Sequence, residues 1–140
     1  MIELVYHSIA AEGVDTADIF NILEEANRFN SQHKITGCLL YYKGEFVQIL
    51  EGDAREVKSL FGKIAKDTRH VGVNLLVTNQ IFERNFKDWN MAFSSLNETS
   101  FEALNVSSFA NNIVSLAGLV DRNTRGTDTF WTLARGLCEE

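Results

Sequence analysis

Apolar and polar residues alternate between Ile2 and Ile9, at the start of the chain. Leu4, Tyr6 and Ser8 fall on one face of this segment and Val5 falls on the other. A period of two residues is typical of a β-strand whose two faces meet different surroundings. The pattern therefore predicts a first strand with Tyr6 on its inward face.

A helical pattern follows a turn at residues 13–16. Asp15 or Thr16 can cap this helix, which we expect to end near Asn30–Ser31. The apolar stripe has the spacing of an amphipathic helix and consists of Ile19, Ile22, Leu23, Ala26 and Phe29.

Two apolar runs, 35–42 and 46–50, are joined by Lys43–Gly44, which predicts a β-hairpin. Asp53 stands three residues before Glu56, the spacing of a capping box, and should open a second helix that ends near Asp67. The apolar stripe of that helix is Val57, Leu60, Phe61 and Ile64.

Residues 71–77 alternate again and predict a fourth strand, and the alternation of Trp89, Met91 and Phe93 with polar or small residues predicts a fifth. The order is strand, helix, strand, strand, helix, strand, strand. This order predicts an α+β fold, a ferredoxin-like βαββαββ sandwich with a five-stranded sheet and two helices on one face.

The remaining part of the chain, 97–140, is richer in Ser, Asn and Thr. It predicts two further helices, one over about 100–120 and one over 127–138. We therefore divide the chain into a domain at 1–96 and a two-helix appendage at 97–140. These helices could cover the free face of the sheet or a partner subunit.

Charge and cysteine usage exclude several classes of function. The net charge of −6 argues against binding to nucleic acid or to an anionic membrane. The apolar stretches at 35–42 and 113–120 are too short to span a bilayer, and no signal peptide precedes them. Cys38 and Cys138 are far apart and have no metal-ligand spacing, so we expect reduced thiols, no metal and a cytoplasmic location.

Three polar residues fall on patterns that should be buried: Tyr6, Asn30 and Gln48. A buried amide without a partner costs about 1–3 kcal/mol, so each needs one. One interpretation is that Tyr6 and Gln48 satisfy each other in a dry core. The other is a flat ligand whose polar edge meets Asn30 and Gln48 and whose faces meet Ile22 and Ile64. Spacing leaves both interpretations open.

A second polar group, Asp67–His70, follows the second predicted helix. Arg69 could pair with a phosphate there, or the segment could be a solvated helix end. Motifs for phosphate loops, serine hydrolases and zinc proteases do not occur in the sequence.

Five blocks in this order resemble the BLUF domain, a family that senses blue light with a bound flavin. The resemblance covers about 1–96, and the blocks are Leu4–Ser8, Ile35–Tyr41, Phe46–Gly52, Asp67–His70 and Arg84–Met91. Together they are far more specific than any one of them. The remaining residues are too few for a cyclase or phosphodiesterase domain, so the whole chain resembles a short BLUF protein.

The resemblance implies a role for each matching residue. Tyr6 would be the redox-active tyrosine and Gln48 the amide that switches between Tyr6 and the flavin. Asn30 would bond the ring edge, and Ile22 and Ile64 would sandwich the ring. The residues expected near the ring edge, ribityl chain or phosphates are Lys63, Asp67, Arg69 and His70. Trp89 and Met91 match the fifth-strand pair that relays the signal.

The resemblance also implies the mechanism and the cofactor. Light would drive proton-coupled electron transfer from Tyr6 and a rearrangement of Gln48 hydrogen bonds, which the fifth strand passes to the C-terminal helices. The cofactor would be FAD, with FMN or riboflavin in a recombinant preparation. The partners would be a second copy of the chain and an unidentified signalling protein. We expect no enzyme activity; the alternatives are a flavin-free dimerisation module and a small flavin-dependent reductase.

Overall fold

A computed structural model describes residues 1–42, 44–86, 92–95 and 124–138. In chain order its elements are β1 (Ile2–Ala10), α1 (Thr16–His33), β2 (Thr36–Tyr42), β3 (Glu45–Gly52), α2 (Ala54–Lys66), β4 (His70–Gln80), β5 (Ala92–Ser95) and α3 (Arg125–Cys138). The predicted helix at about 100–120 lies outside the described residues, as do Trp89 and Met91. The final helix begins two residues before its predicted start.

The strands form one five-stranded sheet in the order β4-β1-β3-β2-β5. β1 lies between β3 and β4 and is antiparallel to both, whereas β5 is parallel to β2. Gly44, with φ of 82°, lies in the turn between β2 and β3, where the hairpin was predicted. The ferredoxin-like α+β fold is therefore confirmed.

Helix α1 begins with a capping box. The Asp18 amide donates to Asp15 Oδ1 at 3.0 Å, and the Asp15 amide donates to Asp18 Oδ2 at 3.1 Å. The helix continues to His33, past its predicted end, because Lys34 closes it in a left-handed conformation with its amide bonded to the Asn30 carbonyl. The residue type at position 34 does not predict a helix end there, because lysine is uncommon at positive φ.

Helix α2 has half of the predicted capping box. Asp53 caps it and accepts from the amides of Arg55 and Glu56. The Glu56 carboxylate, expected to bond back to Asp53, instead pairs with His33 Nδ1 at 2.7 Å. Glu56 therefore joins the two helices to each other.

The two faces of the sheet are covered by different helices. Leu4 and Tyr6 pack with Ile22 of α1 and Leu60 of α2 in one buried cluster. The opposite face is covered by α3, which contacts β1, β3 and β4. One of the two coverings proposed for the C-terminal region, the free face of the sheet, is thus observed for its second helix. Within the part of the chain that the structure describes, no helix has the length and apolarity to cross a membrane.

Candidate functional site

A cavity of about 230 Å³ lies between α1, α2 and the sheet. Its floor consists of Tyr6, Leu39 and Gln48. Its walls are mostly apolar side chains of the two helices, and its remaining lining is polar. The lining residues from α1 are Ile22, Glu25, Ala26 and Phe29, those from α2 are Leu60, Lys63 and Ile64, and those beyond α2 are Asp67, Arg69 and His70.

Tyr6 and Gln48 meet on the floor of this cavity. They face each other in the register of β1 and β3, and the Tyr6 hydroxyl donates a hydrogen bond to Gln48 Oε1. Both side chains are almost fully buried, at 1% and 3% exposure. Burial, and secondarily the nearby Asp67 carboxylate, raises the pKa of Tyr6, so the phenol stays protonated.

Ile22 and Ile64 line the cavity from opposite helices, as expected for residues on the two sides of a planar ligand. Ile22 is 7% exposed, and Ile64 packs against the same core. Apolar walls with a single amide on the floor are suited to a flat aromatic group with a polar edge.

Asn30 is completely buried near the end of α1. Its backbone carbonyl accepts from the amides of Lys34 and Ile35 and so closes the helix. It is not among the described residues that line the cavity. The structure thus brings Tyr6 and Gln48 together on the cavity floor and places Asn30 outside that lining.

Arg69 lies at the cavity with a carboxylate from each side. It donates to Asp67 Oδ2 at 2.6 Å and to Glu25 Oε2 on α1 at 2.6 Å. The side-chain hydrogen bond from Arg69 lowers the pKa of Asp67, and the same two carboxylates raise that of Arg69. The sequence suggested either a phosphate partner for Arg69 or a solvated helix end. The structure instead shows the guanidinium held by two protein carboxylates.

His70 is buried behind Tyr6. Its Nδ1 lies 2.9 Å from Ser8 Oγ, and its ring packs against Phe46 and edge-on to Tyr6. Burial lowers the pKa of His70, which keeps the imidazole neutral. It therefore supports the Tyr6 side of the cavity as an uncharged group.

Lys63 has an aromatic partner. Its Nζ lies 4.3 Å from the centre of the Phe29 ring, and Phe29 in turn stacks on His33 at 3.9 Å. This chain of contacts bridges α1 and α2 beside the cavity. Lys63 is held as a point charge on a ring face, which differs from the planar contact that an arginine could make.

A family model described as "BLUF: Sensors of blue-light using FAD" matches residues 1–92. The chain belongs to the BLUF family. That family consists of sensors of blue light that use FAD, as the sequence blocks indicated.

A curated relative that matches this chain is a much longer protein. The photoactivated adenylate cyclase subunit beta of Euglena longa is 38% identical over 89 residues, which are 63% of this chain and 10% of that protein. The chain therefore spans about a tenth of the length of that curated relative.

Two solved structures match nearly the whole chain. The dark-state structure of BlrB, a BLUF protein, has a TM-score of 0.71 and 28% identity, and the match covers 99% of this chain and 95% of BlrB. BlsA in its photo-activated state has a TM-score of 0.69 and 30% identity, with coverage of 95% and 93%. Both matches therefore cover more of the chain than the family model, which ends at residue 92.

Sequence reasoning missed several residues at the BLUF cavity. Glu25 and Phe29 line the cavity but were not predicted as site residues. They lie three and seven positions after Ile22, so the helical period could have indicated that they share its face of α1. Leu39 faces Gln48 in the β2–β3 register, which required the strand pairing to be known.

Within the described residues, no group of three or more His, Cys, Asp or Glu is arranged to hold a metal ion.

Proposed function

We propose that this chain is a photoreceptor in which Tyr6 and Gln48 form a hydrogen-bonded pair that blue light rearranges. The observation that carries the proposal is the bond from the Tyr6 hydroxyl to Gln48 Oε1 on the floor of the cavity. A phenol and an amide are brought together there by the β1–β3 register. Their position beneath an apolar cavity makes both accessible to a bound ring.

The residues present fit a flavin. Ile22 and Ile64 would flank its ring, and Gln48 would bond its polar edge. Asn30, buried near the end of α1, would also bond that edge. Lys63, Asp67, Arg69 and His70 would face the rest of the molecule. When bound, the flavin would supply absorption of blue light and one-electron redox chemistry.

Tyr6 is suited to give up an electron and a proton together. Its raised pKa prevents loss of the proton alone, because a buried phenolate would be poorly solvated. An oxidised phenol is far more acidic, and its proton then has an acceptor already in place at Gln48 Oε1. Burial of both side chains excludes bulk water as a competing acceptor.

Gln48 is suited to keep a changed hydrogen-bond pattern after that transfer. Its amide has a donor end and an acceptor end, so rotation or tautomerisation exchanges the groups that face Tyr6 and the ligand. When Tyr6 recovers its electron and proton, the altered hydrogen bonds remain. Nothing is consumed, and the chain acts as a sensor rather than as an enzyme.

The free energy of the rearranged hydrogen bonds limits the output that this switch can drive. One or two rearranged hydrogen bonds contribute roughly 0.5–1.5 kcal/mol each. Inverting a two-state element completely needs about 5.5 kcal/mol. The output element is therefore nearly balanced in the dark, and we assign it to β5, to Trp89 and Met91, which precede β5 in the sequence, and to the C-terminal region at 97–140.

The signal would then pass to another protein. Relatives with names such as photoactivated adenylate cyclase join their BLUF region to a much longer chain. We propose that this chain acts in the cytoplasm through a second copy of itself and a separate signalling protein. Its net charge of −6 favours a protein over nucleic acid or membrane.

Absorption spectroscopy of the purified protein tests the proposal. We expect a yellow protein whose flavin bands shift reversibly to the red under blue light and which consumes no nicotinamide cofactor. A colourless protein that FAD cannot reconstitute would favour the flavin-free module, in which the Tyr6–Gln48 bond is only structural. Steady oxidation of added NADH would favour the reductase.

A further inference from the structure

Two buried carboxylates lie on the sheet face opposite the cavity. Glu3 of β1 and Glu51 of β3 face each other in register, and both are 0% exposed. Each lies three positions along its strand from Tyr6 or Gln48, which face each other in the same register. The same two strands thus carry one polar pair on the cavity face and one on the face beneath α3.

Glu51 holds the segment that leads toward β5. Its carboxylate accepts from the amides of Asn85 and Phe86 at 2.7 and 2.9 Å and from Thr36 Oγ1 at 3.0 Å. Burial raises the pKa of Glu51, and these hydrogen bonds oppose that effect. Arg84 fastens the same segment by donating to the Glu51 carbonyl at 2.9 Å.

Glu3 holds the first turn of α3. Its Oε2 accepts from the Gly126 amide at 2.9 Å and from Asn79 Nδ2 at 3.0 Å, and its Oε1 accepts from Thr124 Oγ1. A carboxylate at this position satisfies a free helix amide and interacts favourably with the helix dipole. The helix is therefore attached to β1 by a buried carboxyl group, 123 residues distant in sequence.

The contact between Glu3 and α3 is closely fitted. A Cβ atom at Gly126 would lie 2.4 Å from Glu3 Cδ, closer than carbon atoms approach without displacement. By contrast, a Cβ at Gly136 of the same helix would meet nothing within 4 Å. Only glycine allows the carboxylate to approach the helix at its first turn.

Aromatic packing joins the two attachments. Phe86, whose amide is held by Glu51, contacts both Phe130 and Trp131 of α3, with ring centres 6.4 and 6.3 Å apart. All three rings are buried. A displacement of either carboxylate would therefore change the packing of the same helix, α3.

We infer that Glu3 is the residue that docks α3 on the sheet, and that this contact is where a rearrangement of the Tyr6–Gln48 pair reaches the C-terminal helix through β1 and β3. The inference rests on the proposed function and adds a second route beside β5. Glu3 and Glu51 face each other across two strands, and a buried carboxylate needs hydrogen-bond donors, so each depends on its own set. A small relative shift of β1 and β3 would change how well Glu3 fits Gly126, Thr124 and Asn79.

Hydrogen exchange of the flavin-bound, full-length chain tests the inference, with the absorption shift recorded on the same samples. In the wild type, we expect illumination to change exchange at the amide of Gly126, which donates to Glu3. In Glu3→Gln, one accepting oxygen remains where Gly126, Thr124 and Asn79 had two, so the Gly126 amide should exchange roughly tenfold faster in the dark. Its response to light should shrink, while the red shift persists.

Gly126→Ala and Gly136→Ala supply a matched pair. Both add one methyl group to α3, but only the first meets Glu3, so only Gly126→Ala should reproduce the Glu3→Gln result. Unchanged dark exchange in both Glu3→Gln and Gly126→Ala would overturn the docking role. A wild-type red shift without any change at α3 would overturn the route while leaving the proposed function intact, whereas no red shift at all would refute the proposed function itself.

Discussion

Tyr6 and Gln48 are paired twice, once by backbone register between β1 and β3 and once by the hydrogen bond from the phenol to Oε1. The register fixes their separation, so the side-chain bond needs little ordering of its own. The phenol ring packs against Phe61 and His70. In the proposed mechanism, Gln48 is therefore the member of the pair that reorients.

Gln48→Leu should abolish the light-induced red shift, because leucine has neither the acceptor for Tyr6 nor a donor for the ligand. Flavin should still bind, within about tenfold of the wild-type affinity, since one hydrogen bond contributes about 1 kcal/mol. Absorption difference spectra measure the shift. Leu39→Met, which changes the neighbouring apolar residue on the cavity floor, is the control and should keep it. A shift retained in Gln48→Leu would remove Gln48 from the mechanism.

Tyr6→Phe should block the normal photocycle by removing the electron and proton donor while keeping the ring. Transient absorption after a blue pulse would show whether the red-shifted state forms. Tyr41→Phe makes the same change at a buried tyrosine that is absent from the described cavity lining, and it should cycle normally. Equal photocycles in the two variants would contradict the role of Tyr6.

Ile64→Ala should weaken flavin binding by about tenfold, because one wall of the cavity loses apolar contact area. Fluorescence titration of the apoprotein with FAD measures the dissociation constant. Ile9→Ala removes the same atoms from an exposed position on β1 and should leave the affinity unchanged. If the two variants bind FAD alike, Ile64 does not contact the ring.

The sequence was sufficient for the order of the elements that the structure describes, because alternation and helical stripes directly reflect burial. It also placed Tyr6 on an inward face and Gln48 in a buried run, and it left open whether they bond to each other or to a ligand. The bond required the β1–β3 register, which no local pattern specifies.

Three other features could not be predicted from the sequence, because they depend on contacts between residues far apart in the chain. Lys34 ends α1 at a positive φ that its residue type does not favour. Glu56 satisfies the capping-box pattern but pairs with His33, a contact that depends on how α1 and α2 pack. Glu3 reads as an ordinary polar position in an alternating strand, and its burial follows only once α3 is seen to cover that face. Long-range packing decided each of these cases.

Glu25→Gln should raise the affinity for FMN relative to riboflavin. The Arg69 guanidinium is shared between Asp67 and Glu25, so loss of one carboxylate makes it more available to a phosphate and removes a repulsive charge. Parallel titrations with the two flavins give the ratio of affinities, and the effect should diminish at high salt. Glu24→Gln, an equal charge change at the exposed neighbour, should leave the ratio alone. An unchanged ratio in Glu25→Gln would mean that Arg69 does not meet the phosphate.

His70→Gln should reduce the dependence of stability on pH. Burial lowers the pKa of His70, so the unfolded chain binds a proton more readily, at its ordinary pKa of about 6.5, than the folded chain does. This contribution to stability is complete above that pH and is lost as the pH falls through it toward the lower folded value. Glutamine keeps a polar partner for Ser8 but does not titrate. Urea denaturation of the flavin-bound protein at about pH 8 and about pH 5.5 should show a smaller loss in the variant, and an equal loss would mean that His70 is not the group responsible.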